Sequence, residues 1–319
     1  MNRRILRRTA LPAALFMALG LTACGGGNEA ASTDGESLSG EVLVDGSSTV
    51  QPLTAAAGEL FAEEQPGVNV SVGTSGTGGG FEVFCQGQTD ISNASRPIKD
   101  EEAALCEEAG IEFTELQVAT DALTVVVSSE NDFIDCLTVE ELATLWGPDA
   151  EDTVTTWDQV NPDFPAEPIE LYGPGTDSGT FDYFTDEING EEGVSRTDYN
   201  ASEDDNVIVQ GVEGSPNALG YFGFTYYEEN AEALKAIEID SGDGCVAPSA
   251  ESAQDGSYTP LARPLFIYVN NASAADKPQV KAFVDFYAQN DGDIAEAAQY
   301  IPLNDEQRSA LESAAAELG

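Results

Sequence analysis

Residues 41–64 read EVLVDGSSTVQPLTAAAGELFAEE, in which an apolar strand leads through small residues into a helix. The turn is GSST at 46–49, and the helix is predicted over 52–64. The first turn of a helix leaves backbone N–H groups unpaired and carries a partial positive charge. Glycine lets the backbone approach a ligand closely, and hydroxyl side chains add hydrogen-bond donors. The stretch therefore predicts an anion site at the start of a helix.

The same order of strand, small residues and helix recurs twice, in VNVSVGTSGTGGGF at 68–81 and IELYGPGTDSGTFDYFTDEI at 169–188. Any one such turn is more often a plain helix cap, but three in one chain favour a shared oxyanion site. None is followed by Gly-Lys-Ser/Thr and none reads G-x-S-x-G. Neither a nucleotide P-loop nor a nucleophile elbow is therefore supported.

A fourth segment, DISNASRP at 90–97, ends a short strand with Ser95 and Arg96. The forked guanidinium of arginine suits oxyanions, so Arg96 is a candidate clamp. The alternative is a surface ion pair between Arg96 and one of the abundant carboxylates.

Short apolar strands alternate with helical patterns along the chain, which predicts an α/β fold. The strand candidates are 41–45, 68–72, 122–128, 169–172, 219–224 and 265–269. The clearest helix covers 277–289, and a last helix is predicted over 305–318. We interpret the apolar stripe of the first of these helices as core and not as a cofactor face, and we predict no cofactor. Trp146 and Trp157 are likewise interpreted as core.

Composition excludes several classes of function. The 319 residues include 12 Lys plus Arg, 58 Asp plus Glu and no His, for a formal net charge of −46. The absence of histidine excludes a Ser-His-Asp triad, a Cys-His pair and a His-ligated zinc site, and we predict no catalytic residue and no metal. The negative charge repels phosphate backbones, so nucleic acid is not expected as a partner. The same charge favours a soluble monomer.

The N-terminus predicts export and anchoring. Residues 1–24 read MNRRILRRTALPAALFMALGLTAC, where four arginines precede an apolar run too short for a good membrane span. The ending LTAC resembles a bacterial lipobox, in which Cys24 is lipidated and becomes the mature N-terminus; the alternative is an ordinary signal peptide followed by a chance cysteine. Residues 25–38 predict a flexible tether. We therefore expect an extracytoplasmic protein held at the cell membrane by lipid.

Four further cysteines remain: Cys85, Cys106, Cys136 and Cys245. An even number in an exported chain favours two disulfides, with three pairings open. We prefer Cys85–Cys106, which are near in sequence, and Cys136–Cys245. The alternative is four buried small hydrophobic residues.

Seven segments, in order, resemble the phosphate-binding lipoproteins of bacterial phosphate ABC transporters. They are DGSSTVQPL, GTSGTGGGF, DISNASRPI, GPGTDSGTFDYF, DYNASEDDNVIVQGV, ALGYFGF and PLARPLFIYV. The resemblance implies a two-lobed type II periplasmic-binding-protein fold with two crossover strands and the ligand in the interlobe cleft. Lobe one would be 39–119 plus 261–319, and lobe two 120–260. It also implies high-affinity binding of inorganic phosphate and its delivery to the permease subunits of an ABC importer.

The resemblance also places the family's phosphate loops on this sequence. The loop residues that it implies are Ser48, Thr49, Val50, Ser75, Gly76, Thr77, Ser178, Gly179 and Thr180. The chain departs from the family at two positions, because many members have Asp where this chain has Ser95 and Arg where it has Pro174. We hypothesise that Arg96 supplies the missing charge. Asp177, or a carboxylate from elsewhere, would accept a proton from bound phosphate, and Arg196 is a second cationic candidate.

Three other functions compete with phosphate capture. Another tetrahedral oxyanion such as sulfate stays open, since the acceptor Asp is missing. A serine-dependent phosphoesterase using Ser75 or Ser178 lacks both His and an evident Lys base, so we predict that the chain is not an enzyme. A structural envelope protein fits poorly with three anion loops and no repeats.

Overall fold

Residues 37–318 are described in the structure, a computed structural model of the chain. The predicted signal sequence, the lipidation at Cys24 and most of the tether lie outside these residues. Within 37–318, no helix is both long and apolar enough to span a bilayer.

Strands and helices alternate along the described chain, which confirms the α/β class. The strands are β1 (Gly40–Gly46), β2 (Val68–Val72), β3 (Ile91–Ala94), β4 (Phe113–Ser128), β5 (Cys136–Thr138), β6 (Glu170–Pro174), β7 (Asn200–Ser202), β8 (Ala218–Gly223), β9 (Leu234–Ala236), β10 (Glu238–Asp240), β11 (Cys245–Val246) and β12 (Ala262–Asn270). The helices are α1 (Gln51–Glu64), α2 (Gly76–Phe84), α3 (Asp100–Ala109), α4 (Val139–Trp146), α5 (Gly179–Asn189), α6 (Asp205–Glu213), α7 (Phe224–Asn230), α8 (Ala250–Gln254), α9 (Asn271–Asp276), α10 (Pro278–Gln289), α11 (Asp291–Ala297) and α12 (Asp305–Ala316).

The main sheet of the described chain has the strand order β2-β1-β3-β12-β4-β8-β6-β7, with β9 also beside β4. β1 runs parallel to β2 and β3, and β6 runs parallel to β7 and β8. β4 is shared by both ends of this sheet, because residues 113–122 pair with β12 and residues 123–127 pair with β8. β12 is antiparallel to β3 and β4 and lies between them. β4 and β12 are thus the strands that connect the two ends of the sheet.

Two large apolar cores flank the connecting strands in the described residues. The first core combines residues 42–119 with residues 265–318, and the second core is built from residues 123–261. In the first core, Phe61 of α1 packs edge-on against Phe283 of α10, with ring centres 5.5 Å apart. In the second core, Trp146 packs against Tyr221 with ring centres 4.9 Å apart. The predicted core roles of the α10 stripe and of both tryptophans are confirmed by their burial.

The largest departure from the predicted elements is in the connecting strands. The continuous apolar run of β4 is VVV at 125–127, whereas the first part, FTELQVATDA at 113–122, mixes polar and apolar residues. That part becomes a strand because it pairs along its length with β12. The charged helix α3 was also missed, since only Cys106 of its residues is buried and it has little apolar periodicity.

Both preferred disulfides are present. Cys85–Cys106 ties the end of α2 to α3, and Cys136–Cys245 ties β5 to β11 in a small separate sheet. Glu238 lies beside the second pair at metal-ligand spacing. Since both sulfurs of that group are joined to each other, the group is a disulfide site and offers no thiolate to a metal.

Candidate anion-binding site

A cavity of about 550 Å³ lies where the loops after β1, β2 and β3 face the start of α5. The wall on the side of the first core consists of Ser47, Ser48, Thr49, Ser75, Gly76, Thr77, Gly78, Ser95, Arg96 and Pro97. The opposite wall consists of Gly179, Asp182, Tyr183, Asp186, Glu187 and Glu192, and Arg263 and Pro264 of β12 complete the cavity. The strand ends of the sheet therefore bring the predicted loops to one place.

The first loop follows β1 and leads into α1. Gly46 has a φ of +135°, and a Cβ atom there would overlap the backbone of Asn93. Glycine is therefore required for β1 to pass so close to β3. The N–H of Ser47 donates to the carbonyl of Asn93 at 2.9 Å, which fixes the start of the loop. Val50 caps α1 without a side-chain hydrogen bond, is fully buried and is not among the residues that line the cavity, so only its backbone N–H at the start of α1 could reach a ligand.

The second and fourth loops are joined to each other. The hydroxyl oxygens of Thr77 and Ser95 lie 3.1 Å apart, and the N–H of Ser95 donates to Thr77 Oγ1 at 3.2 Å. Ser75 caps α2 without a side-chain hydrogen bond, which leaves its hydroxyl and the first-turn N–H groups facing the cavity region. A Cβ atom at Gly80 would lie 2.5 Å from the Cα of Gly46, so α2 sits directly against the first loop.

The third loop approaches from the other side. Ser178 caps α5, and its Oγ accepts from the N–H of Thr180 at 3.2 Å. A Cβ atom at Gly179 would lie 3.5 Å from Thr49 Oγ1, so the start of α5 and the first loop lie almost in contact. Asp177 is exposed and does not line the cavity; its N–H faces a carboxylate oxygen of Glu203 at 3.5 Å. The structure thus brings Gly179 to the first loop and leaves the side chains of Asp177 and Ser178 outside the lining of the cavity.

Arg96 lines the cavity, but its guanidinium is already bound. Nη1 and Nη2 each donate to one oxygen of Glu102 at 2.8 Å, and Nη1 also donates to the carbonyl of Pro97 at 3.1 Å. The arrangement resembles the surface ion pair that was the alternative interpretation of this residue. Its charge is compensated before any ligand arrives.

Arg196 does not line the cavity. It is 4% exposed, and Nε and Nη2 donate to the carboxylate of Asp198 at 2.6 and 2.8 Å. Nη1 donates to the carbonyl of Leu145 at 3.0 Å. These hydrogen bonds from Arg196 lower the pKa of Asp198 to about 2. Arg196 therefore stabilises the chain around α4 and lies away from the anion loops.

Arg263 on β12 is a cation of the cavity that the sequence did not single out. Its Nε donates to Asp121 Oδ2 at 3.2 Å, and Asp121 is its register partner on β4. Its Nη2 donates to Thr49 Oγ1 at 3.0 Å, and its Cζ lies 3.6 Å from the ring centre of Tyr183. Arg263 therefore touches the first loop, a connecting strand and α5 at once.

With this geometry established, known proteins provide the comparison. A model of the PBP superfamily domain matches residues 31–291. The chain belongs to the PBP superfamily. Protein SphX of Synechocystis sp. is 48% identical over 94% of this chain and 87% of its own length. Phosphate-binding protein PstS of Staphylococcus saprophyticus is 43% identical over 92% of this chain and 88% of its own length.

The solved structures agree with the family. The crystal structure of a possible phosphate binding protein from Planctomyces limnophilus is 43% identical, with a TM-score of 0.83, and the match covers 88% of this chain and 99% of that one. The family and the two-lobed type II fold expected from the seven segments are thereby confirmed. The Staphylococcus relative and the Planctomyces limnophilus structure are named as binding proteins and not as enzymes, in line with the prediction that the chain is not an enzyme.

Burial raises the pKa of three carboxylates in and beside this PBP cavity. It raises the pKa of Asp121, while the guanidinium of Arg263 opposes the shift. On α5, burial also raises the pKa of Asp182 and of Glu187, with a carboxylate neighbour adding to each shift and Arg263 again opposing it. Asp121 is the most enclosed of the three, with a side chain 9% exposed.

A smaller space of about 190 Å³ adjoins the cavity and shares Ser48, Thr49 and Gly179 with it. Asp121 and Thr180 line this space. The hydroxyl of Tyr300, also on its wall, donates to the carbonyl of Thr49 at 2.8 Å. Thr49 of the first loop is therefore held by two hydrogen bonds, one from Tyr300 to its carbonyl and one from Arg263 to its hydroxyl.

Proposed function

We propose that the chain captures inorganic phosphate outside the cytoplasmic membrane and delivers it to the permease subunits of an ABC importer. The observation that carries the proposal is the convergence of three helix N-termini and Arg263 on one cavity. Helix N-termini and arginine forks are the two protein groups best suited to phosphate oxygens. The relative named phosphate-binding protein PstS, at 43% identity, supports the same ligand.

The proposed ligand set follows the loops. Backbone and hydroxyl donors would come from Ser48, Thr49, Val50, Ser75, Gly76, Thr77, Ser95, Ser178, Gly179 and Thr180. We assign the principal cation to Arg263 and not to Arg96, because Glu102 already holds the Nη groups of Arg96. Arg263 thus takes the part that the family's arginine plays at the position of Pro174.

Asp121 is the carboxylate that we assign to the proton of hydrogen phosphate, in place of Asp177. It is enclosed, its pKa is raised by burial, and it lies beside the same loops as Arg263. A carboxylate in this position accepts a hydrogen bond from a protonated oxyanion and repels a fully ionised one. Phosphate would then be preferred over sulfate.

The remaining expectations complete the proposal. Cys24 would carry the lipid, residues 25–38 would be the tether, and the mature protein would be a monomer. The lobes would be 39–119 plus 261–319 and 120–260, a division supported by the first and second cores to within one residue, since Leu261 packs in the second core. Closure of the lobes around phosphate would then present the loaded form to the permease.

A second candidate ligand is a sulfate-like oxyanion. It is favoured by Ser95, a neutral hydroxyl paired with Thr77, where many family members have a carboxylate. Titration calorimetry on phosphate-free protein at high salt separates the two candidates. Tight 1:1 binding of phosphate with little response to sulfate supports phosphate capture, equal binding of both supports a general oxyanion carrier, and no heat from phosphate refutes the proposal.

A further inference from the structure

We infer that Tyr183 is a positioning residue that fixes the guanidinium of Arg263 for the ligand, an inference that rests on the proposed phosphate function. Tyr183 lies in the first half of α5, downstream of the third loop, and its ring is buried at 3% exposure. The Cζ of Arg263 lies 3.6 Å from the centre of this ring, which is van der Waals contact with its face. A cation stacked at this distance is attracted by the quadrupole of the ring.

The ring itself is held on the segment that leads into Arg263. The hydroxyl of Tyr183 donates to the carbonyl of Pro260 at 2.6 Å. Tyr183 is therefore anchored at one end by α5 and at the other by the approach to β12. Any displacement of α5 relative to β12 has to break this hydrogen bond or the stacking contact.

The contacts of Arg263 define which of its donors remain for a ligand. One face lies on the ring, Nε donates to Asp121 and Nη2 donates to Thr49. An arginine has five N–H groups, so three of them are left without a partner among the residues that the structure describes. All three lie in the guanidinium plane, and the ring under that plane sets their direction. Without the ring, only the hydrogen bonds to Asp121 and Thr49 would restrain the plane.

Arg96 shows the contrast within the same cavity. Its Cζ lies 5.9 Å from the ring of Phe81, and its Nη groups are bound by Glu102. Its orientation is set by a carboxylate that also cancels its charge. Arg263 is also paired with a carboxylate, Asp121, but only through Nε, and one of its faces lies on a neutral ring. Three of its N–H groups, all on the Nη atoms, therefore stay available to an oxyanion.

The test compares the phosphate Kd of full-chain variants by calorimetry. Tyr183→Leu is expected to weaken binding by about thirtyfold, in line with a desolvated cation–π contact. Tyr183→Phe keeps the ring and is expected to restore binding to within about threefold of the parent. Tyr221→Leu is the matched control, because it removes another ring of the second core that does not line the cavity. It is expected to lower the melting temperature and leave the Kd unchanged.

A double-mutant cycle separates positioning from a general loss of packing. In an Arg263→Gln background, Tyr183→Leu is expected to have no further effect on Kd. The inference is overturned if Tyr183→Leu binds as tightly as the parent, or if it weakens binding equally in both backgrounds. If Tyr183→Leu does not fold, Tyr183→Met replaces it with a side chain that fills the space without a ring. A parent protein that binds no phosphate would refute the proposed function itself, whatever the variants do.

Discussion

Replacement of Arg263 by glutamine tests the cation that we place at the site. Two of its five N–H groups are used by Asp121 and Thr49, and a forked pair of bonds to one phosphate would use two of the remaining three. Each hydrogen bond to a charged group contributes about 1.5–3 kcal/mol, so the pair contributes about 3–6 kcal/mol. Arg263→Gln is therefore expected to weaken phosphate binding by about two to four orders of magnitude.

The assay is calorimetric titration, with thermal unfolding measured on the same samples. Loss of Arg263 also leaves the enclosed Asp121 without its partner, which is expected to cost about 3–5 kcal/mol of stability. Arg308→Gln is the matched control, because Arg308 pairs with the buried Asp291 at 2.9 Å and does not line the cavity. It is expected to lower stability while the phosphate Kd stays at the parent value.

The double variant Arg263→Gln with Asp121→Asn removes both charges and is expected to recover stability without recovering affinity. An Arg263→Gln protein that stays folded and binds phosphate within threefold of the parent would refute the assignment. Arg96→Ala then identifies the alternative cation, because a loss of about two orders of magnitude there would return the clamp to Arg96.

Three further perturbations test the fold and the loops. Replacement of Cys136 and Cys245 by alanine is expected to lower the free energy of unfolding by about 1.5 kcal/mol more than replacement of Cys85 and Cys106. The reason is that the Cys136–Cys245 disulfide closes a loop of 109 residues and the Cys85–Cys106 disulfide a loop of 21 residues. Urea denaturation of both variants measures the difference. Burial, with two acidic neighbours, raises the pKa of Asp205 to about 6, so stability should fall as pH rises from about 4 to about 6. Asp205→Asn should then raise the melting temperature at neutral pH and not below pH ~4, and an equal change at both would contradict this account. Gly46→Ala is expected to lower both the melting temperature and the phosphate affinity, since a Cβ atom would overlap the backbone of Asn93; unchanged affinity would mean that the first loop does not bind the ligand.

The three loops and the two disulfides could be predicted from the sequence because their signals are local or follow from counting. A turn of small residues between strand and helix is visible within about ten residues, and the resemblance joins such turns into one site. Arg263 and Asp121 could not be found in this way. They are 142 positions apart and meet only through the register of β12 on β4. The sequence signal that could have indicated Arg263 is its position at the start of the otherwise apolar strand ARPLFIYVN.

Arg196 illustrates the opposite failure. A scarce arginine in an acidic chain was a reasonable candidate for an anion site, but charge alone does not say whether the side chain faces a cavity or the interior. Asp198, two residues downstream, takes two of its donors, and backbone carbonyls take Nη1. The direction of the Arg196 side chain is determined by its packing around α4, whose residues are about 50 positions away in the sequence. Contacts between residues so far apart leave no periodic pattern in the sequence.

The distribution of the two cores along the chain also determines the order in which they can form. The second core is contiguous, from residue 123 to residue 261, whereas the first needs residues 42–119 together with residues 265–318. During synthesis, which starts at the N-terminus, the second core can therefore form before residues 265–318 are available to cover the apolar surface of residues 42–119. β12 is the last strand to emerge, yet its place is between β3 and β4 in the middle of the sheet. Insertion of β12 makes the sheet continuous. Because Arg263 lies on β12, the same folding step also brings the cation to the anion site.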